Sequence, residues 1–181
     1  MMNFISHGTQ DLYPTFLQRQ RHFTVNATAL ATAVSMVGAT VGSLVFGYFS
    51  DRAGRRVAMV TAVLLGVLVI PLWILALKPA VILTGAFLMQ MMVHGAWGII
   101  PAQLNELSPR QLRGFFPGLA YQIGVLIASS IAYIEAVMAE HLSYTTAMGT
   151  LAAALLIGAA VIWSGPESKG ISFMKPGGGE P

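Results

Sequence analysis

A helical bundle threaded six times through a membrane is the architecture this sequence implies: an all-α integral membrane protein. The 181-residue chain is 55% hydrophobic and only 9% charged, with a mean hydropathy of +0.69. A soluble domain carries about 25% charged residues. Five stretches, 24–50, 57–77, 79–105, 114–134 and 142–166, contain no Asp, Glu, Lys or Arg. Each is long enough for the ~20 residues that a helix needs to cross a ~30 Å hydrocarbon core. Charges, prolines and glycines gather in the breaks between them. Folded as an apolar soluble bundle, the chain would have almost no polar surface.

Six helices follow in order, forming one bundle over residues 1–170. The first, 1–18, is different in kind, because it carries a polar stripe. At 100° per residue Asn3, Ser6, His7, Gln10, Asp11 and Pro14 share a face roughly 140° wide. Such a stripe is costly in a membrane unless it lines a cavity or meets a partner helix, so it marks a functional site. Thr9 points about 120° from its centre, towards a neighbouring helix. Pro14 cannot donate to the Gln10 carbonyl, which predicts a kink there. The second helix, 24–49, and the fourth uncharged run each hold a Gly-x-x-x-Gly pair, Gly38/Gly42 and Gly114/Gly118, whose spacing suits close helix packing. The third helix, 57–77, is bounded by Arg55-Arg56 and Lys78-Pro79. The fourth is 80–103, the fifth 114–138 and the sixth 143–164, and residues 171–181 read as a flexible tail. The polar stripe begins at Asn3, a turn or two earlier than in a whole span, and no basic n-region or cleavage site precedes it. The first helix is therefore expected to be truncated and the chain to be the rear part of a longer protein. There are no cysteines, so disulfide and thiol chemistry are excluded.

Basic residues orient the bundle. With alternating helices, Arg52, Arg55, Arg56, Arg110, Arg113, Lys169 and Lys175 fall on one side, and Arg19, Arg21 and Lys78 on the other. The first group predicts the cytoplasmic face, which then includes the C-terminus of a multi-pass protein in the plasma (inner) membrane. The Arg19-Gln20-Arg21-His22 cluster lies outside as a solvated loop, or as a surface that meets anions.

The loops on the basic side carry recognisable patterns. Gly47-Tyr48-Phe49-Ser50-Asp51-Arg52-Ala53-Gly54-Arg55-Arg56 packs a glycine-rich turn and a charge cluster between two spans. Asn105-Glu106-Leu107-Ser108-Pro109-Arg110-Gln111-Leu112-Arg113-Gly114 forms the next such loop, and the chain leaves its last span through Gly165-Pro166-Glu167-Ser168-Lys169-Gly170. The first resembles the G-x-x-x-D-R-x-G-R-[RK] signature of the major facilitator superfamily. The second resembles its E-S-P-R-x-x-x-R-G element two helices later, and the third its P-E-[ST]-K-G exit. Residues 3–15 match N-x-x-[ST]-H-x-[ST]-Q-D-x-x-x-T, a string similar to the seventh helix of the lactate/pyruvate:proton symporters within the sialate:proton symporter family.

The resemblance implies the C-terminal six-helix half of a major facilitator fold, helices seven to twelve. Facilitators bind substrate between two such halves, so the N-terminal half is an expected partner, beside the lipid bilayer, a small organic anion and a proton. Proton-coupled symport of a monocarboxylate such as lactate or pyruvate is the implied function. A sialic acid or other acidic-sugar permease is the alternative, and a non-transporting fragment or interaction subunit is the reading from another class.

Within that frame His7 and Asp11 are the candidates for proton coupling: one turn apart, they lie within side-chain reach, and a histidine changes charge near neutral pH. Asn3, Ser6, His7, Gln10, Asp11 and Thr15 are the candidate substrate contacts. A structural clamp between helices is the competing account of His7 and Asp11. Gln90, His94 and Gln122 are weaker cavity candidates, since a lone polar residue often just bonds a neighbouring helix. Trp97 lies a turn beyond His94 and Tyr121 beside Gln122, while Glu135 reaches towards an interface. Family topology brings the loops to one face, so Gly47, Asp51, Arg52, Gly54, Arg55, Arg56, Glu106, Arg113 and Glu167 are expected to form a gating network. No H-E-x-x-H, G-x-S-x-G or paired-aspartate motif supports an enzyme. No metal site or cofactor is expected, and the pI near 9.5 reflects sparse charges rather than a nucleic-acid-binding patch.

Overall fold

The computed structural model describes residues 2–130 and 143–168, together with 133–134, 137–138 and 141. The expected tail, Lys169, Lys175 and Glu135 lie outside the described residues. Every regular element among the described residues is a helix. Four stretches are long and apolar enough to cross a membrane: Val25–Ala53, Arg55–Leu75, Pro79–Leu107 and Tyr144–Ser164.

Prolines divide two of the expected helices. Without an N–H at Pro14 the ladder cannot pass the Gln10 carbonyl, and α1 (Met2–Gln10) stops there. The chain restarts as α2 (Tyr13–Arg19) with Pro14 in its first turn. The same chemistry acts at Pro101. Helix α5 (Pro79–Trp97) ends before Gly98, and α6 (Ile100–Leu107) begins with Pro101 in its first turn. The helical chain thus runs past 103 and carries Glu106 on its last turn.

The second helix also runs further than expected. α3 (Val25–Ala53) passes straight through Gly47, which makes no turn, and an added Cβ there would meet nothing within 4 Å. The turn falls entirely on Gly54, whose φ of +109° is open to glycine but rarely to L side chains. After it come α4 (Arg55–Leu75), α7 (Phe116–Ala128), α8 (Tyr144–Gly149) and α9 (Leu151–Ser164). A 3₁₀ turn at Arg110–Leu112 precedes α7. Ser143 caps α8 by accepting from the Thr146 N–H at 3.0 Å.

Helix α5 is the central post, packed between α3 and α4, with α9 against α4 and α1 against α5, α7 and α9. Small residues make the α3–α5 seam close. A Cβ at Gly38 would lie 2.2 Å from the Phe87 carbonyl oxygen, and one at Gly42 would lie 2.0 Å from that of Met91. Gly85 does the same for α4, 2.8 Å from the Leu72 carbonyl. Gly114 and Gly118 have the spacing but not the role. Nothing among the described residues stands opposite them within 4 Å, so that pair packs no helix here. Trp73, Phe16, Met89 and Leu155 are buried in the core, while Leu44, Leu68, Leu126 and Leu156 are exposed, a surface suited to lipid.

Candidate functional site

The polar stripe of α1 is turned towards α5 and α7 at some positions and left open at others. Asn3 is buried: its Nδ2 donates to the Tyr121 carbonyl at 3.3 Å, and its Oδ1 accepts from Trp97 Nε1 at 3.0 Å. Gln10 Nε2 approaches Gln90 Oε1 at 3.3 Å and His94 Nε2 at 3.1 Å. Gln90 in turn donates to the Thr9 carbonyl at 3.1 Å. A polar seam in two separate parts therefore lies between α1 and α5, Asn3 with Trp97 in one and Gln10 with Gln90 and His94 in the other. In an apolar surrounding each such bond replaces an unsatisfied group.

His7 and Asp11 form a second unit. Nδ1 of His7 lies 3.2 Å from Oδ2 of Asp11, and the two side chains are 45% and 40% exposed. This pair is accessible rather than walled into the bundle. Ser6 and Thr15 are half-buried, and Thr9 is fully buried with its hydroxyl donating to the Ile5 and Ser6 carbonyls at 3.1 and 3.0 Å. Gln122 stays exposed on α7, and its side chain forms no hydrogen bond with the described residues, so it does not join the seam. Among the cavities flanking the stripe are one of about 150 Å³ beside Asn3, Trp97 and Tyr121, and one of about 220 Å³ beside Gln10, Pro14, Thr32 and Ser35. Neither has a lysine or arginine in its lining. The contribution of Thr32 and Ser35 was invisible in the sequence, where both read as ordinary residues of an apolar helix.

At one end of the bundle the loop charges converge on Arg55. Its Nη2 lies 2.8 Å from Glu106 Oε1, and its Nη1 donates to Asp51 Oδ1 at 2.5 Å and to Ser50 Oγ at 2.6 Å. The Arg55 and Glu106 side chains are only 17% and 9% exposed, whereas Asp51 is 61% exposed. Glu167 caps α4: its Oε1 accepts from the Arg55 N–H at 2.9 Å and its Oε2 from the Arg56 N–H at 3.1 Å. A carboxylate there satisfies orphan amides at the positive end of the helix dipole. Ser168 Oγ closes the ring on Glu106 Oε2 at 2.6 Å. The remaining arginines take neighbouring partners. Arg56 donates to the Trp163 and Gly165 carbonyls and covers the Trp163 ring; Arg52 lies 3.7 Å from the centroid of the Tyr48 ring; Arg113 donates to the Ser108 carbonyl. Ser50 and Ser168 carry no charge, so charge complementarity alone does not place them in this cluster. No group of three metal-ligating side chains occurs among the described residues.

Comparison with known proteins gives the arrangement a context. Residues 1–175 match the family described as "Sugar (and other) transporter". The chain is 34% identical over 140 residues to a carboxylic acid transporter protein homolog of Saccharomyces cerevisiae, covering 77% of this chain and 23% of the relative. It is 28% identical over 171 residues to a putative metabolite transport protein of Haemophilus influenzae, covering 94% and 42%. It is also 27% identical over 146 residues to the chicken (Gallus gallus) facilitated glucose transporter member 1, covering 77% and 30%. The chain spans less than half the length of these relatives, all of which are named for transport rather than for catalysis.

Proposed function

Because the chain belongs to the sugar (and other) transporter family, a branch of the major facilitator superfamily, we propose that it forms helices seven to twelve of a proton-coupled symporter. Its substrate in this reading is a small monocarboxylate such as lactate or pyruvate. The observation that carries the proposal is the His7–Asp11 pair, 3.2 Å apart and accessible, beside the polar seam of Asn3 and Gln10. Two ionisable groups in a membrane helix persist when they are paired or wetted. A proton arriving at either changes the net charge of the pair. Protonated His7 then offers a carboxylate the positive charge that the flanking cavities otherwise lack, with Asn3, Ser6, Gln10 and Thr15 supplying donors. The likeness to the yeast carboxylic acid transporter homolog supports this choice of substrate.

In this reading the N-terminal six-helix half completes the cavity, the protein sits in the plasma membrane with its C-terminus in the cytoplasm, and the Arg55 cluster biases the access equilibrium. A second reading, uncoupled passage of a sugar, draws on the likeness to the glucose transporter. An acidic sugar such as sialic acid stands between the two. The test is uptake by this chain joined to its N-terminal half, with labelled lactate, glucose and sialic acid offered under an imposed pH gradient. Symport predicts uphill lactate accumulation that a protonophore abolishes. Equilibration of glucose without sensitivity to the gradient supports the second reading, and no uptake of any of the three supports an interaction subunit.

A further inference from the structure

The Arg19-Gln20-Arg21-His22 cluster plays no part in the function proposed above, yet a cavity of about 430 Å³ lies beside it. The cavity sits between the end of α2 and the starts of α3 and α5, at the opposite end of α4 from Arg55. Its size falls in the range of ~300–1,000 Å³ typical of small-molecule sites. Arg21, His22 and Thr24 line one part of it, and Leu30, Leu77 and Leu83 line another.

The polar part is cationic and fixed. Arg21 Nη2 donates to the Ile74 carbonyl, and its guanidinium lies 5.2 Å from the centroid of the Phe16 ring. No carboxylate among the described residues pairs with it, and no Asp or Glu lines the cavity. Next to it His22 holds φ +55°, a left-handed conformation that residues other than glycine seldom adopt, while the Phe23 N–H bonds back to the Leu17 carbonyl at 2.9 Å. Lys78 stands exposed at the rim, between the lining residues Leu77 and Pro79. The apolar part opens outwards. Six of the nine lining residues are apolar, and Leu30 and Leu77 are 56% and 79% exposed on the surface that meets lipid.

We propose that this cavity binds an anionic phospholipid. Arg21 and His22, with Lys78 at the rim, take the phosphate of the headgroup, and the acyl chain lies along Leu30 and Leu83. A free phosphate would satisfy the same charges, but a hydrated ion gains nothing from an apolar wall open to the bilayer, whereas an amphiphile matches both parts. Cations at the end of the spans are also at the depth where headgroups lie.

The test is native mass spectrometry of the purified full chain in micelles doped with phosphatidylglycerol or phosphatidylcholine, counting retained lipid. Arg21→Gln would also remove the bond to Ile74, so two other variants carry the test. Lys78→Gln removes one rim charge, and Ala27→Phe fills the cavity without altering charge. Wild type is expected to retain phosphatidylglycerol preferentially. Lys78→Gln should reduce that preference about 5-fold, the value of one basic residue near an anionic surface, and Ala27→Phe should abolish it. Equal retention of the two lipids by wild type, or an unchanged preference in Ala27→Phe, overturns the proposal. Displacement of the lipid by millimolar inorganic phosphate also overturns it and assigns the cavity to a soluble anion.

Discussion

Replacing Gly42 by alanine tests the packing of the bundle at its tightest point. The new methyl carbon would stand 2.0 Å from the Met91 carbonyl oxygen, where an ordinary C···O contact needs about 3.3 Å. Backbone atoms cannot rotate aside as a side chain can, so α3 has to retreat from α5 by roughly 1.3 Å. A gap of about 0.5–1 Å already forfeits a quarter to a half of each dispersion contact. The loss extends along the seam to Phe46, whose ring lies on Gly95. Overpacking of this kind costs about 3 kcal/mol, offset by about 1 kcal/mol from removing a glycine from a helix interior, for a net loss near 2 kcal/mol. Gly47→Ala is the control on the same helix. Its methyl meets nothing within 4 Å, so the helix-propensity gain of about 0.5–1 kcal/mol stands alone. SDS-induced unfolding in micelles, followed by far-UV circular dichroism, should move in opposite directions for the two variants. If Gly42→Ala unfolds no earlier than wild type, the close approach of α3 and α5 is not what holds them together.

Other perturbations separate the remaining parts of the molecule. Glu106→Ala strands the poorly exposed Arg55 and should cost about 3 kcal/mol, whereas Asp51→Asn, at an exposed partner, should cost under about 1 kcal/mol in the same unfolding assay. In the transporter completed by its N-terminal half, Asp51→Asn should slow uptake while substrate affinity, measured by equilibrium binding, stays within a few-fold; a large loss of binding would put Asp51 in the substrate site. Gly54→Ala forces a methyl to within 2.8 Å of Glu167 Oε2 at φ +109° and should destabilise by about 2 kcal/mol, mainly through strain at a glycine conformation. Asp11→Asn should end accumulation driven by a pH gradient while leaving some substrate exchange. His7→Ala should weaken carboxylate uptake and flatten its pH dependence between about pH 5 and 8. Unchanged pH dependence in both, at normal membrane levels, would make the pair structural.

Four of the spans were legible in this sequence because burial in lipid demands long uncharged runs. The kink expected at Pro14 is a full break after Gln10, since Pro14 cannot donate to the carbonyl four residues back. By the same logic Pro101 pointed to the break after Trp97, but the long uncharged run masked it. Glycines were harder. Gly47 and Gly54 both lie in the loop signature, yet only Gly54 takes a positive φ. Gly38/Gly42 and Gly114/Gly118 share a spacing, yet among the described residues only the first pair has a helix against it. What stands opposite a residue is a tertiary property, and one-dimensional spacing does not encode it. The partners of Arg55 show the same limit: charge complementarity suggested Asp51 and Glu106, but Ser50, Ser168 and the capping of α4 by Glu167 depend on how distant loops meet.

That capping has a consequence for the order in which the molecule can be completed. Gly54 offers α4 no side-chain cap, and the carboxylate that does the job is borne by Glu167, 112 residues downstream of the Arg55 amide that it accepts from. At a synthesis rate of about 5–20 residues per second, some 6–20 s separate the two on the ribosome. During that interval the head of α4 must find its hydrogen bonds in water or headgroups, so the loop at Gly54 acquires its final geometry only once the last span has entered the membrane.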